Sequence, residues 1–205
     1  MPKGPAKIVM ASGNVGKLRE IARILADLEV EVVPQSELGV TDADETGSTF
    51  LDNALLKARH AARTTGLPAI ADDSGLMVDA LDGRPGVYSA RYSGPQADPE
   101  KNIDRLLAEL DGVPAGERGA AFHCVACFVM DNEASAIVAQ GEWRGEILHA
   151  RRGEGGFGYD PVFFDSELGC SAAELSAAQK DARSHRGKAM RELARQLRGL
   201  TWSQS

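Results

Sequence analysis

The sequence has little cysteine, no long apolar run and no excess of positive charge, and each shortage excludes a class of protein. Three cysteines among 205 residues are an odd number and do not suggest a disulfide framework. No apolar stretch approaches the roughly 20 residues of a membrane span, and the N-terminus has none long enough for a signal peptide. The net charge of −7 argues against a broad nucleic-acid-binding face, which must be positive. We therefore expect a cytoplasmic enzyme or binding protein with no membrane or nucleic-acid partner.

Apolar runs alternate with amphipathic segments along the chain, as is typical of an α/β protein. At 43% hydrophobic and 26% charged residues, the chain fits one large domain or two closely joined lobes. The pattern predicts helices over residues 17–28, 49–65, 98–110 and 181–198. It predicts strands starting at Lys7 and Glu29, a strand on either side of a turn at residues 74–75, and strands over 120–130, 134–141 and 145–149. The middle of the chain resembles hairpins, which favours a mixed sheet.

The stretch SGNVGK, residues 12–17, lies between the first strand and the first helix and is a candidate phosphate site. A strand–turn–helix unit points backbone N–H groups at an anion at the start of the helix. The Walker pattern GxxxxGK[ST] is not met, because Leu18 follows Lys17 and Ala11 stands where the first glycine belongs. A phosphate bound here would need a different arrangement.

Two acidic clusters could hold a divalent cation. Asp42, Asp44 and Glu45 share a loop, whereas Asp72 and Asp73 interrupt an apolar run. Mg²⁺ usually takes one or two carboxylates, with water and phosphate oxygens completing its octahedron. Neighbouring strand residues face opposite ways, so Asp72 and Asp73 are expected to have different roles unless a turn bends the backbone. Solvated loops or caps are the alternative, although a charged pair inside an apolar run is costly without a role.

The glycine-rich stretch GGFGYDP, residues 155–161, has two open interpretations. GEGGFG matches the dinucleotide fingerprint GxGxxG, but the apolar VFF after Pro161 predicts a strand where that motif needs a helix. One interpretation is a flexible backbone whose Phe157 and Tyr159 stack against a planar base. The other is a tight turn that carries two core aromatics.

The run KDARSHRGKA, residues 180–189, concentrates basic side chains around a histidine. It is either a solvated helix face or, in this acidic protein, a reader of anions or base edges. The CxxC pair Cys124 and Cys127 lies in an apolar run with strand character, where residues three apart face opposite sides. We expect buried thiols there rather than a metal or redox pair. His123 and His149 are expected to be structural or surface residues.

Six stretches, in order and at matching spacing, resemble the Ham1-like or inosine triphosphatase family of non-canonical purine nucleoside triphosphate pyrophosphatases. They are SGNVGKLREI, ETGSTFLDNALLKAR, ADDSGLMVDAL, PGVYSARYSG, GGFGYDPVFF and SHRGKA. The resemblance spans nearly the whole chain and implies one domain over residues 1–205, with an elongated mixed sheet flanked by helices and two lobes around a central cleft. It further implies a homodimer, Mg²⁺, and cleavage of ITP, dITP or XTP between the α- and β-phosphates.

The same resemblance implies residue roles. Asp73 would be the general base that activates water, Asp72 would share metal or water positioning, and Lys17 would supply charge to the triphosphate. Asp73 and an acid from the Asp44-Glu45 pair would hold Mg²⁺. The family often has glutamate where Asp44 stands, which leaves open which of the two reaches the ion. The implied substrate contacts are Ser12, Gly13, Asn14, Val15, Gly16, Lys17, Ser74, Phe157, Gly158, Tyr159, Asp160, Lys180, His185 and Arg186.

Two rival functions stay open. A Maf-type nucleotide pyrophosphatase would share the chemistry but act on other modified or pyrimidine nucleotides. A non-catalytic nucleotide sensor would bind the triphosphate and signal through a partner, although the Asp72-Asp73 pair disfavours it.

Overall fold

Strands and helices alternate through the described part of the computed structural model, residues 7–26, 30–96, 98–131 and 135–198. The strands are β1 Lys7–Met10, β2 Glu31–Pro34, β3 Ala69–Val78, β4 Gly119–Val129, β5 Ile137–Ile147, β6 Phe163–Asp165 and β7 Cys170–Ser171. The helices are α1 Val15–Ile24, α2 Phe50–Thr65, α3 Pro99–Glu109, α4 Ala177–Arg183 and α5 His185–Arg198. None of these helices has the length and apolar character needed to cross a membrane.

The seven strands form one mixed sheet in the order β2-β1-β3-β4-β5-β6-β7. Strand β1 runs parallel to β2 and β3, whereas β6 runs antiparallel to β5 and β7. The predicted α/β class with a mixed sheet is therefore confirmed. The elongated two-lobe shape implied by the resemblance stays a prediction.

The chain divides into two compact units. The first unit comprises the described residues of 1–73, 124–141 and 186–205, and the second unit comprises Ser74–His123 and Glu142–His185. In the first unit, alternate strand residues supply two cores. Ile8 and Ile70 pack with α1 and α5, whereas Val9 and Ala71 pack with the alanine-rich face of α2. The sheet of this unit is consequently covered by helices on both sides.

The second unit has one core, built from aromatic and branched side chains. Trp143 of β5 and Phe163 of β6 lie with their ring centroids 4.9 Å apart. Ile103 and Leu106, from the predicted apolar stripe of α3, are fully buried in the same core.

The predicted limits of α2 and α3 are confirmed. Thr49 and Asp52 form a capping box, in which each side chain accepts a hydrogen bond from the other residue's backbone N–H. Gly66 ends α2 in the left-handed conformation at φ 69°. Asp98 caps α3, and Pro99 follows as its first residue. Because these signals act within a few residues, they can be read without knowledge of the tertiary fold.

The predicted strand–turn–strand around residues 74–75 is wrong, because β3 continues without interruption from Ala69 to Val78. The Ser74-Gly75 pair predicts a turn, yet it lies inside the strand, as do Asp72 and Asp73. Basic and amide side chains from other elements contact both carboxylates, as described below, so the strand can carry them.

Two further expectations are corrected, and three fall outside the described residues. The strands expected over 134–141 and 145–149 are one strand, β5, and the last helix is divided at Ser184, whose extended backbone ends α4. At Gly145 an added Cβ would lie 2.4 Å from the carbonyl oxygen of Phe164, so this glycine permits close strand approach rather than ending the strand. The predicted helix end at Leu28 and strand starts at Glu29 and Ala134 lie outside the described residues, within which α1 already ends at Ile24.

The two cysteines of the CxxC pair face opposite cores of the first unit. Cys124 lies in the core with Ile8, and Cys127 lies in the core with Val9. Burial raises the pKa of the Cys127 thiol to about 12, which keeps it protonated. This confirms the interpretation as buried thiols.

Candidate active site

Asp72 and Asp73 of β3 are both buried and lie on opposite sides of the sheet within the first unit. Asp72 shares its side with Ile70, and Asp73 shares its side with Ala71. The expectation that the adjacent acids differ in role is consistent with this placement.

On the α2 side, Lys57 joins two acids from separate segments. Its Nζ donates to Glu45 Oε1 at 2.8 Å and to Asp73 Oδ1 at 3.1 Å. Asn53 lies one turn earlier on α2, and its Nδ2 donates to the other oxygen of Asp73 at 3.1 Å. One helix face therefore fixes both oxygens of Asp73 and brings Glu45 to the same ammonium group.

The acidic loop is fastened to α2 through Asn53. Its Oδ1 accepts a hydrogen bond from the backbone N–H of Gly47 at 2.8 Å. A Cβ on Gly47 would lie 2.5 Å from Asp52 Cβ and 2.6 Å from Asn53 Oδ1, so only glycine permits this approach. Asn53 thus contacts both the loop that carries Glu45 and the carboxylate of Asp73.

On the α2 side of the sheet, Lys57 and Asp73 form an ion pair in which the pKa of the acid is raised. Burial raises the pKa of Asp73, and this outweighs the lowering by Lys57 and Lys17. Burial by itself lowers the pKa of Lys57, but Asp73, Asp72 and Glu45 outweigh it, so that the pKa is raised. Lys57 consequently stays charged, and the raised pKa of Asp73 has the direction that suits a general base.

On the other side, Asp72 lies in a charge network with Lys17 and Arg186. Lys17 Nζ donates to Asp72 Oδ2 at 3.1 Å, and Arg186 Nε donates to the same oxygen at 3.4 Å. Arg186 is 2% exposed and donates through Nη1 to Glu20 Oε2 at 2.5 Å. Burial lowers the pKa of Arg186, but Asp72 and Glu20 outweigh it and raise the pKa. The predicted base-edge donor Arg186 is thus engaged in a buried ion network.

The turn at residues 12–17 forms the predicted strand–turn–helix unit. Asn14 is the N-cap of α1, and its Oδ1 accepts from the backbone N–H of Lys17 at 3.1 Å. Ser12 Oγ accepts from the backbone N–H of Asn14 at 3.2 Å. A Cβ on Gly13 would lie 3.2 Å from Asp42 Oδ2, so this acid lies beside the turn. Lys17 therefore extends from a capped first helical turn to Asp72.

The acidic loop places Glu45 and Asp44 in different surroundings. Glu45 is half-buried against Lys57, whereas Asp44 is exposed at a cavity that Arg59 and His60 also line. The geometry therefore associates Glu45, rather than Asp44, with Asp73. Among the described residues, no group of three or more His, Cys, Asp or Glu side chains is suited to a metal, so a cation here would rest on two carboxylates.

In the second unit, Asp160 and Lys180 form a buried pair beside Phe157. Lys180 Nζ donates to Asp160 Oδ2 at 2.5 Å and lies 4.4 Å from the centroid of the Phe157 ring. The same Asp160 oxygen accepts from the backbone N–H of Phe157 at 2.8 Å. Gly156 has φ 73°, and a Cβ there would lie 2.0 Å from that oxygen, so the turn requires glycine.

The two aromatics of this turn have different surroundings. Tyr159 is buried in the core and its hydroxyl donates to the carbonyl oxygen of Ser89 at 2.8 Å, which matches the core-aromatic interpretation. Burial raises the pKa of Tyr159, so the hydroxyl stays protonated. Phe157 and Gly158 are half-buried. Only Phe157 therefore retains a ring surface that a base could reach.

The remaining candidates of the second unit are His185 and Ser74. His185 is buried, and its ring stacks on Phe122 with centroids 4.7 Å apart and an interplanar angle of 10°. Ser74 is half-buried in β3. His123 lies 3.9 Å from Glu142, and His149 is exposed, in keeping with the expected structural or surface roles.

Sequence reasoning missed Lys57, Asn53 and Glu20. A signal for the first two was present, since Asn53 and Lys57 are four residues apart along the edge of the alanine stripe of α2. Polar side chains beside an apolar helix stripe become buried with it and then need hydrogen-bond partners. Asn53 is indeed fully buried. Glu20 had no such signal, because its partner Arg186 is far away in sequence.

Comparison with known proteins places the chain among close relatives over nearly its whole length. A dITP/XTP pyrophosphatase from Methylococcus capsulatus is 58% identical over 196 residues, which cover 95% of this chain and 98% of that protein. A dITP/XTP pyrophosphatase from Pectobacterium atrosepticum is 55% identical over 193 residues, with 94% and 98% covered. The solved structure of a HAM1 protein from Coxiella burnetii is 45% identical in sequence and has a TM-score of 0.88. The match covers 95% of this chain and 99% of that chain. The Ham1 family model matches residues 8–196, and the chain belongs to this family.

Proposed function

We propose that this chain hydrolyses dITP, XTP and ITP to the monophosphate and pyrophosphate, with Mg²⁺, and thereby removes non-canonical purines from the nucleotide pool. Relatives named dITP/XTP pyrophosphatase are 55% and 58% identical to it over nearly their full length. The observation that supports the chemistry is the meeting of Asp73 and Glu45, acids from separate segments, at Lys57.

Asp73 is the proposed general base. It takes a proton from the water that attacks the α-phosphorus, and pyrophosphate leaves. Its buried position raises its pKa, which brings the carboxylate closer to the proton affinity that a base needs near neutral pH. Asn53 and Lys57 hold one oxygen each and so fix the direction in which the carboxylate faces.

Lys17 and the capped turn are the proposed triphosphate contacts. The first turn of α1 offers backbone N–H groups and the positive end of the helix dipole. The side chain of Lys17 also lies there, and Asp72 holds its Nζ in place at 3.1 Å. Fixed positive groups of this kind stabilise charge that develops on the leaving pyrophosphate.

The proposed metal ligands are Asp73 and Glu45. Their donor set fits Mg²⁺, which needs only one or two protein carboxylates. Both acids also lie within hydrogen-bonding distance of one cation, the Lys57 ammonium, which is evidence that positive charge is accommodated there. When bound, Mg²⁺ supplies charge neutralisation at the triphosphate oxygens. Asp72 is left to hold Lys17 and Arg186.

Base recognition is proposed for residues of the second unit. The half-buried ring of Phe157 offers a stacking surface, and Lys180 is held against it by Asp160. A purine with a 6-oxo acceptor would be favoured by hydrogen-bond donors, and the sequence-predicted donor in this unit is His185. The other predicted donor, Arg186, belongs to the first unit and is held there by Glu20 and Asp72. Ser74 and Gly158 remain predicted contacts.

We also propose a homodimer in the cytoplasm, built from a two-lobed domain over residues 1–205. The homodimer and the two-lobed domain rest on the family resemblance, and the compartment rests on the sequence composition. The absence of a membrane-spanning helix among the described residues is compatible with them.

A pyrophosphate-release assay across about eight nucleotides, with and without Mg²⁺, tests the function. The expected result is Mg²⁺-dependent release from dITP, XTP and ITP, with much slower release from ATP and GTP. Comparable rates with UTP and dTTP would favour the Maf-type activity instead. Tight ITP binding with no pyrophosphate released would favour the nucleotide sensor.

A further inference from the structure

A cavity of about 430 Å³ in the second unit contains none of the predicted site residues. Three arginines and two tyrosines line it: Arg84, Arg91, Arg105, Tyr88 and Tyr92. We call it the arginine–tyrosine pocket. Four of the five belong to the segment from residue 84 to 92, which includes most of the family-like motif PGVYSARYSG; the proposed function gives none of them a role. A volume in the range of about 300–1,000 Å³ is typical of small-molecule sites.

Glu109 of α3 holds two of the arginines in place. Its Oε2 accepts from Arg84 Nη1 at 2.5 Å, and its Oε1 accepts from Arg105 Nε at 2.7 Å. The hydroxyl of Tyr92 donates to Glu109 Oε2 at 2.7 Å. Because one carboxylate contacts both guanidinium groups, their spacing is set before any ligand arrives, which lowers the ordering cost of binding.

Both guanidinium groups keep donor capacity. Within the described part of the chain, Arg84 makes its hydrogen bonds through Nη1, and Arg105 makes its own through Nε and Nη1. Nη2 of each is therefore not used, and both side chains are about half exposed. Two guanidinium groups at fixed spacing, each with its Nη2 donor remaining, suit the oxygens of a phosphate group.

The ring of Tyr88 provides a flat apolar surface at the same pocket. The residue is 59% exposed, and the Arg91 guanidinium lies 5.2 Å from the ring centroid. An exposed tyrosine backed by a cation is a platform on which a nucleobase can stack. Phosphate donors and a stacking surface together match one class of ligand, a base that carries a phosphate.

We propose that the arginine–tyrosine pocket binds a nucleoside monophosphate, with its phosphate on Arg84 and Arg105 and its base on Tyr88. None of the residues that line the pocket is a predicted catalytic residue, and the proposal does not depend on the hydrolytic function.

Isothermal titration of the full chain with AMP, and separately with inorganic phosphate, tests the proposal. AMP lacks both the triphosphate and the 6-oxo group, so it is a poor ligand for the predicted catalytic residues. The wild type is expected to bind one AMP per chain. Replacing both arginines by glutamine, Arg84→Gln with Arg105→Gln, is expected to weaken AMP and phosphate at least about tenfold, because charged hydrogen bonds are lost.

Further variants test binding of the base and of the phosphate separately. They also distinguish the charge of the arginines from the planar shape of the guanidinium group. Tyr88→Ala should weaken AMP and leave inorganic phosphate unchanged. Arg84→Lys with Arg105→Lys keeps the charge but loses the planar fork, and should also weaken AMP. Arg144→Gln removes an exposed arginine of β5 that pairs with Glu142 and should change nothing. Thermal unfolding of each variant verifies that it folds.

Three outcomes would overturn the proposal. The first is no AMP binding to the wild type. The second is equal AMP affinity in the wild type and the folded Lys or Gln double variants, which would place AMP elsewhere. The third is loss of a dimer in the Gln double variant with unchanged AMP affinity, which would assign the pocket to contact with a second copy of the chain.

Discussion

Asp73 and Asp72 are adjacent residues for which we expect opposite mutational phenotypes. Asp73→Asn removes the proposed base and should lower turnover by about 10²–10⁴-fold, the usual contribution of general base catalysis. At neutral pH the free energy of unfolding should fall less than in Asp72→Asn, although one donor, Lys57 or Asn53, then faces an amide NH₂ group. Since burial raises the folded-state pKa of Asp73, its ionised form costs stability above that pKa, and asparagine removes this cost.

Asp72→Asn is the matched comparison. It removes a carboxylate that Lys17 and the buried Arg186 contact, so the free energy of unfolding should fall by about 1–3 kcal/mol. Urea denaturation and pyrophosphate release, measured on both variants, check the pair. Normal turnover in Asp73→Asn, or an undiminished stability in Asp72→Asn, would contradict these assignments.

Lys57 should control the pH at which activity is lost on acidification. Asp73 acts as a base only when ionised, and the Lys57 ammonium lowers its pKa against the effect of burial. Lys57→Met removes that lowering, so the acid limb of the kcat/KM profile should move to higher pH. Lys7→Met, which removes an exposed lysine paired with Glu31, should leave the midpoint unchanged. A midpoint that stays in place, or moves to lower pH, in Lys57→Met would show that Asp73 is not the titrating base.

Glu45 and Asp44 can be separated by their effect on Mg²⁺ dependence. Glu45 lies at the Lys57 ammonium with Asp73, whereas Asp44 is exposed. Loss of outer partners already costs about 10–100-fold in metal affinity, so loss of a ligand in Glu45→Gln should raise the half-maximal Mg²⁺ concentration at least that much. Asp44→Asn should change it little. The reverse order of effects in a Mg²⁺ titration of turnover would assign the ligand to Asp44.

Elements whose limits depend on neighbouring residues were predictable, and elements that depend on distant partners were not. The Thr49 capping box and the Asp98 cap lie within three residues of the N–H groups they satisfy. The continuity of β3 depends on Lys17, Lys57 and other partners from separate elements, which no local pattern reveals. The candidate acids were therefore identified from sequence, whereas the side chains that position them were not.

The close approach of β5 to β6 at Gly145 can be tested by substitution. An added Cβ at Gly145 would lie 2.4 Å from the carbonyl oxygen of Phe164 and 2.7 Å from the Phe163 ring. Gly145→Ala should therefore lower the free energy of unfolding by about 1–3 kcal/mol through overpacking between β5 and β6. Gly116→Ala is the control, because nothing lies within 4 Å of its added Cβ. Equal stability of the two variants in urea would show that the strands can separate at no cost.

For the whole molecule, sedimentation equilibrium should report a particle of twice the chain mass of 21.8 kDa. The reason is the dimer implied by the family resemblance. The control is a dilution series from micromolar to nanomolar, since dimer mass should fall towards that of one chain only below the dissociation constant. A mass of one chain at micromolar concentration would contradict the dimer.

The net charge of −7 is compatible with binding of a polyanion because positive charge is concentrated locally. Lys17 and Lys57 each lie within 3.1 Å of a carboxylate, so the cations are held at fixed places rather than spread over the surface. Sequence composition gives the net charge, but it cannot show which lysines form such a local positive site.

The two hydrogen bonds of the Asn53 amide have a consequence for anyone who redesigns this protein. One joins the loop that carries Glu45, and the other joins the carboxylate of Asp73. A substitution at this asparagine would disturb ion affinity and proton transfer together, so the two properties cannot be optimised independently from α2. Asp44 and Thr46 have side chains that are exposed in the loop, and they can be exchanged without loosening that shared amide.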